Sequence, residues 1–144
     1  MEKEIREIIE NRVAGIKNKN VNGATMSYSE EVISYDVIGQ LQFTGIEALK
    51  ERLREWLSTL SDIIDYEIAD VNITSSSGLA YCSCLNYINA QTIDGKKLDM
   101  WWRETTCYSN VNGMVKIMHT HSSVPFDAKN GMASVGLKPI AGGH

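Results

Sequence analysis

The chain has 144 residues, 43% hydrophobic and 22% charged, which is enough apolar material for one globular core. Its formal net charge of -4 and its scattered lysines and arginines leave no basic stripe of the kind that phosphate binding requires, so no nucleic-acid partner is expected. No stretch approaches the roughly 20 apolar residues that span a bilayer, and the start Met1-Glu2-Lys3-Glu4 is unlike a secretory leader, so no membrane partner is expected either.

Ile5, Ile8, Ile9, Val13 and Ile16 follow the i, i+3, i+4 spacing of an amphipathic helix over 5–16. Arg12 stands in the same stripe. Either its stem lies along the core with the head reaching water, or its guanidinium meets an internal polar site. A break over Asn18 to Gly23 precedes a short second helix ending near Tyr28. Val32 to Ile38 reads as a strand, and Gly39 to Gly45 as a turn or short hairpin. Thr44 followed by Glu47 is a capping-box signature. It opens a helix with Ile46, Leu49, Leu53, Trp56, Leu57 and Leu60 on one stripe.

Four strands are predicted next, over 63–73, 79–92, 97–110 and 114–124. Ser75-Ser76-Ser77-Gly78, Asp94-Gly95 and Asn112-Gly113 separate them, the last two being strong hairpin turns. Pro125 ends the final strand because it has no N–H for the ladder. The domain is therefore placed at 1–126, with a Gly-rich, loosely packed tail over 127–144. Three cysteines, an odd number, argue against a disulfide framework. Cys82 and Cys84 share a strand face, Cys107 stands alone, and the expected compartment is the cytoplasm.

Helices followed by a long meander make an α+β fold: a cone-shaped, curved, antiparallel (mixed) sheet wrapped around the N-terminal helices. Strands of this length coil, and a coiled sheet closed by helices leaves a conical interior. Strict alternation on the last strand puts Val115, Ile117, His119, His121 and Ser123 on the core side. On the strand before it two faces remain open: Asp99, Trp101, Arg103, Thr105 and Cys107, or Met100, Trp102, Glu104, Thr106 and Tyr108. Ser34 and Asp36 share a face with Val32 and Ile38. Arg12, Asp36, His119 and His121 are thus expected to converge inside, with Arg103 if its phase is right. Buried charges need partners, so Arg12 or Arg103 could also be a structural partner of Asp36.

The run Trp102-Arg103-Glu104-Thr105-Thr106-Cys107-Tyr108, then Asn112-Gly113, then Lys116 to Pro125 with its His119-x-His121-x-Ser123 ending, resembles the C-terminal hairpin of SnoaL-like proteins. These belong to the nuclear transport factor 2-like superfamily, which includes ketosteroid isomerase. The association domain of calcium/calmodulin-dependent kinase carries similar residues. The resemblance covers residues 2 to 126 and implies a cone-shaped α+β barrel, cystatin-like in fold. It also implies a homodimer through the outer sheet face, expected to carry Trp102 and Tyr108. The superfamily holds isomerases, cyclases, epoxide hydrolases, dehydratases and assembly domains, so fold does not give function.

Compared with ketosteroid isomerase, Asp36 falls at the catalytic aspartate. Arg12 replaces the oxyanion-hole tyrosine, and the second oxyanion donor falls near Thr105, so classical steroid isomerisation is not expected. An acid-base enzyme on a small, partly apolar molecule stays open, with Asp36 as base and Arg12 or His119 steadying an oxyanion. Arg103, His121, Trp101, Tyr35, Asn86 and Thr105 complete the expected ligand contacts. An Asp36, Arg103 and Asp99 set like that of the epoxide hydrolases is a further variant. The alternative is a non-catalytic anion-binding or assembly domain using Arg12 and Arg103. His119 and His121 with Asp36 would be the ligands if a metal were held, but neither metal nor cofactor is expected.

Overall fold

The computed structural model describes residues 1–140; the last four residues of the expected tail lie outside the described range. Helix α1 (Glu2–Lys17) and the short α2 (Val21–Thr25) are followed by β1 (Tyr28–Tyr35), β2 (Phe43–Thr44) and helix α3 (Ile46–Ser58). Four long strands complete the domain: β3 (Leu60–Ser76), β4 (Leu79–Thr92), β5 (Lys97–Val111) and β6 (Met114–Ser123). They form one six-stranded mixed sheet in the order β2-β1-β6-β5-β4-β3, in which only β1 and β6 run parallel. Among the described residues no helix is long and apolar enough to cross a membrane.

The helices lie on the concave face of the sheet. Gly15 allows α1 to approach α2 closely, since a Cβ there would stand 2.4 Å from the Ala24 backbone nitrogen. Asn20 caps α2 by accepting the Gly23 N–H at 3.0 Å. Helix α3 starts differently from expectation. Its N-cap is Gly45 at φ 90°, and no side chain caps it, so the Thr44/Glu47 capping box does not form. A residue in that backbone conformation places Thr44 in β2, where it pairs with Ile33 and cannot fold back over the helix.

Bulges shape the sheet. Strand β3 shifts register against β4 at three places, between Leu60 and Asp62, between Ile63 and Asp65, and between Ala69 and Asn72. Each extra residue bends the strand and adds twist, which wraps the sheet around the helices. A further shift lies in the β5–β6 ladder, where Cys107 faces His119 but Tyr108 faces Ile117. Met118 is therefore the extra residue, and the side-chain phase of β6 reverses after it. Ile117, Thr120 and Ser122 are buried, whereas His121 is exposed and His119 half-buried. The expectation that His119, His121 and Ser123 face inward is overturned at this bulge.

On β5 the inward set is Met100, Trp102, Glu104, Thr106 and Tyr108. The outer sheet face therefore carries Trp101, Arg103, Thr105 and Cys107, and not the expected Trp102 and Tyr108; Tyr108 is only 1% exposed.

The interior is two apolar clusters separated by a polar belt. One gathers Ile5, Ile8, Val32, Cys82, Cys84, Tyr108 and Ile117. The other gathers Ile16, Ala24, Leu57, Leu60, Tyr66, Ile88 and Ala90. Between them, Arg12 stands one helical turn from both Ile8 and Ile16, Asn86 stands between Cys84 and Ile88, and Glu104 stands midway along β5. All three are buried.

Candidate functional site

The belt opens on one side into a cavity of about 150 Å³, bounded by the helices and the concave sheet face. Its floor is the ion pair of Arg12 and Glu104. One guanidinium nitrogen, Nη2, donates to both carboxylate oxygens at 3.0 Å. Glu104 also accepts from Thr106 Oγ1 at 3.2 Å, from Ser122 Oγ at 3.5 Å and from Cys84 Sγ at 3.8 Å. Burial opposes ionisation of Glu104, but the Arg12 charge and these donors together outweigh it and hold the carboxyl below its usual range. Arg12, despite its own burial, is held protonated by the same partner. Beside them the Ser34 and Thr120 hydroxyls share a hydrogen bond of 2.9 Å.

Asp36 stands on the cavity wall just past the end of β1. Its Oδ2 accepts from Arg52 Nη2 at 3.0 Å, and its Oδ1 accepts the Val37 N–H at 2.7 Å. Burial pushes Asp36 above the ordinary aspartate range. The Arg52 charge and the Val37 N–H pull the other way without cancelling that push, and the Glu104 charge adds to it. Arg52 Cζ also lies 5.9 Å from the Trp56 ring, within cation–π range. Tyr28, Trp56, Tyr66 and Trp102 supply aromatic surface to the walls.

Of the residues expected at the site, Arg12, Asp36 and Asn86 line this cavity. Arg12 pairs with Glu104, and Asp36 pairs with Arg52, so neither forms the expected Arg12–Asp36 or Arg103–Asp36 pair. Arg103, Trp101 and Thr105 point to the outer face, with Trp101 packed 4.8 Å from the Tyr87 ring. Asp99 is exposed on that face too, so Asp36, Arg103 and Asp99 do not meet. His119 and His121 are also outside, edge-on to the Tyr35 ring at 4.8 and 5.4 Å. His119 Nδ1 lies 2.7 Å from the Ile33 carbonyl, which accepts from it and leaves Nε2 as the free nitrogen. Among the described residues no group of three or more His, Cys, Asp or Glu could hold a metal ion, and the His119, His121 and Asp36 set is split across the sheet.

Sequence reasoning missed Arg52 and Glu104. Arg52 carried a readable signal: it lies three after Leu49 and four before Trp56, inside the apolar stripe of α3, just as Arg12 lies inside that of α1. Glu104 was legible only as the inward member of the alternative β5 phase.

Comparison with solved structures places the chain among proteins of one fold. A nuclear transport factor 2-like protein of unknown function from Pseudomonas putida KT2440 is 25% identical with a TM-score of 0.84, and the match covers 95% of each chain. An uncharacterised protein with a cystatin-like fold from Caulobacter vibrioides is 17% identical with a TM-score of 0.73, covering 89% of this chain and 92% of that one. A candidate dehydratase of the nuclear transport factor 2-like family from Streptomyces avermitilis is 10% identical with a TM-score of 0.71, covering 84% and 93%. Comparison with curated proteins finds no match. Residues 5–127 match the family model of the SnoaL-like domain, and the chain belongs to that family, within the nuclear transport factor 2-like superfamily.

Proposed function

We propose that the cavity takes a small, partly apolar molecule and carries out acid-base chemistry on it, with Asp36 as the proton acceptor. The observation that carries this reading is the position of Asp36: a partly buried carboxylate on an aromatic-lined cavity wall, with its proton affinity raised by desolvation. An apolar cavity of about this size holds one benzene ring, so the reacting part of the ligand is about a single ring. On the floor, Arg12 and the Ser34–Thr120 hydroxyl pair are donors for an oxygen that gains charge when the proton leaves. Histidine has no part in this scheme, because His119 and His121 lie on the far side of the sheet.

The test is hydrogen exchange at carbon. A panel of single-ring ketones is incubated with the protein in deuterated water, and deuterium next to the carbonyl is read by mass spectrometry. Exchange above the buffer rate that disappears in Asp36→Asn supports the reading. Exchange that survives in that variant, or none across the panel, removes it.

A second reading has its own observation. Arg52 occupies Asp36 at 3.0 Å, so the resting carboxylate is masked, as it would be in a non-catalytic binding or assembly domain. Under either reading we propose a homodimer through the outer sheet face, where Ile33, Tyr35 and Tyr81 stand exposed. Light scattering behind size exclusion tests it: a dimer that becomes a monomer in Tyr81→Glu supports it, and a wild-type monomer at micromolar concentration sinks it.

A further inference from the structure

Arg52 is half-used. Its Nη2 holds Asp36 Oδ2 at 3.0 Å, yet its buried Nε has no hydrogen-bond partner among the described residues. Asp36 does not supply the second acceptor: its Oδ1 is turned to the Val37 N–H at 2.7 Å and not to Nε. A guanidinium is a planar fork built for two parallel bonds, and a buried N–H left without an acceptor carries a standing cost. Arg52 lines the cavity, as do Trp102 and the Trp56 ring packed against it. The other cation of the cavity is placed differently: Arg12 holds both Glu104 oxygens through Nη2, lies 5.7 Å from the Tyr28 ring, and has no nitrogen among the buried donors left without a partner.

We propose that the molecule this cavity recognises is a single-ring carboxylate, which draws Arg52 off Asp36 so that the now-shielded Nε turns into the cavity and donates beside Nη2, while the ring lies among Trp56 and Trp102. This rests on the reading of the cavity as a small-molecule site and names the substrate class. A planar two-oxygen anion completes the fork that Asp36 leaves half empty. By sharing Arg52 it also loosens the contact that masks Asp36, so ligand binding and release of the proton acceptor become one event. A neutral amide of the same shape fills the cavity but offers the guanidinium one uncharged acceptor in place of two charged ones.

The experiment is calorimetric titration of the purified protein with benzoate and with benzamide, its uncharged counterpart, repeated on Arg52→Gln and Asp36→Asn. Benzoate is expected to bind the wild type about tenfold or more tightly than benzamide, the size of one charge-assisted hydrogen bond. That preference disappears in Arg52→Gln, and benzoate binding tightens in Asp36→Asn because the competing carboxylate is gone. Binding of both probes with no preference for benzoate, or a preference that survives in Arg52→Gln, overturns the substrate class and leaves the small-molecule site standing. Binding of neither probe overturns both. Arg52-dependent benzoate binding without deuterium exchange in any single-ring keto acid keeps the substrate class and removes the acid-base reading. Arg52→Lys, which keeps the charge but not the fork, should lose most of the preference, and a preference it keeps in full overturns docking on the planar pair of donors.

Discussion

Arg12 and Glu104, 92 residues apart in sequence, meet through two 3.0 Å hydrogen bonds from a single nitrogen, at the boundary between two apolar clusters. Arg12 is 8% exposed and Glu104 6%, so each charge depends on the other. Removing one partner leaves an unpaired buried charge. Glu104→Leu or Arg12→Met should therefore each cost about 3–5 kcal/mol, whereas the double variant carrying both changes, an apolar pair of similar volume, should recover most of the loss. Urea unfolding of the two single variants and the double variant measures this cycle. Losses that simply add would mean that the two side chains do not act as a pair.

The two carboxylates of the cavity should respond to pH in opposite senses. Glu104 has a depressed folded-state pKa, so its contribution to stability is complete above the unfolded-chain value and is lost as pH falls through its own lower value. Asp36 has a raised folded-state pKa, so the folded protein takes up its proton first. The Asp36 term then gains stability as pH falls from above its folded value to below the unfolded one. Asp36→Asn should accordingly change stability at neutral pH by no more than about 1 kcal/mol, the range of partly exposed pairs. It should also remove the stability gain on mild acidification. Urea midpoints of wild type and variant between pH 4 and 7 read both effects, and identical pH profiles would count against the raised Asp36 pKa.

Much of this fold was legible from pattern alone. Asp94-Gly95 and Asn112-Gly113 mark hairpins that the structure contains, and the predicted strands 79–92, 97–110 and 114–124 differ from β4, β5 and β6 by at most one residue at either end. The site was less legible because its residues depend on side-chain phase. A single extra residue, Met118, inverts everything after it on β6, and no turn residue or glycine announces that bulge. Arg12 and Asp36 were expected to be interior, and the pairing weighed for them, Arg12 or Arg103 with Asp36, does not form. The available cations and anions were counted without Arg52, whose place in the apolar stripe of α3 was readable, and without Glu104, whose β5 face spacing alone left undecided.

The bulge gives its own prediction. If β6 alternated regularly, His119 and His121 would be interior and Thr120 would be on the surface. The structure has the reverse, with Thr120 buried and bonded to Ser34. Thr120→Val should cost about 1–3 kcal/mol, because it leaves the buried Ser34 hydroxyl without its partner. His119→Ala and His121→Ala should each stay within about 1 kcal/mol of wild type. Thermal denaturation of the three variants ranks them, and a histidine variant less stable than Thr120→Val would refute the outward placement.

The close crossing of α1 and α2 sets the position of Arg12, and Gly15 sets the crossing. A Cβ at residue 15 would stand 2.4 Å from Ala24 N and 2.6 Å from Ala24 Cα, and backbone atoms cannot rotate aside as a flexible side chain can. In an isolated helix Gly→Ala would raise helix propensity by about 1 kcal/mol. Here the overpacking outweighs that gain, and Gly15→Ala should destabilise the protein by about 1–3 kcal/mol. Because α2 must move away, Ala24 and Thr25 withdraw from the cavity wall they share with Arg12, and the cavity widens on that side. A neutral ring such as benzamide should then lose affinity in Gly15→Ala, while hydrogen-exchange protection falls first in α2. A Gly15→Ala protein as stable as wild type would mean that the α1–α2 contact is looser than this geometry requires.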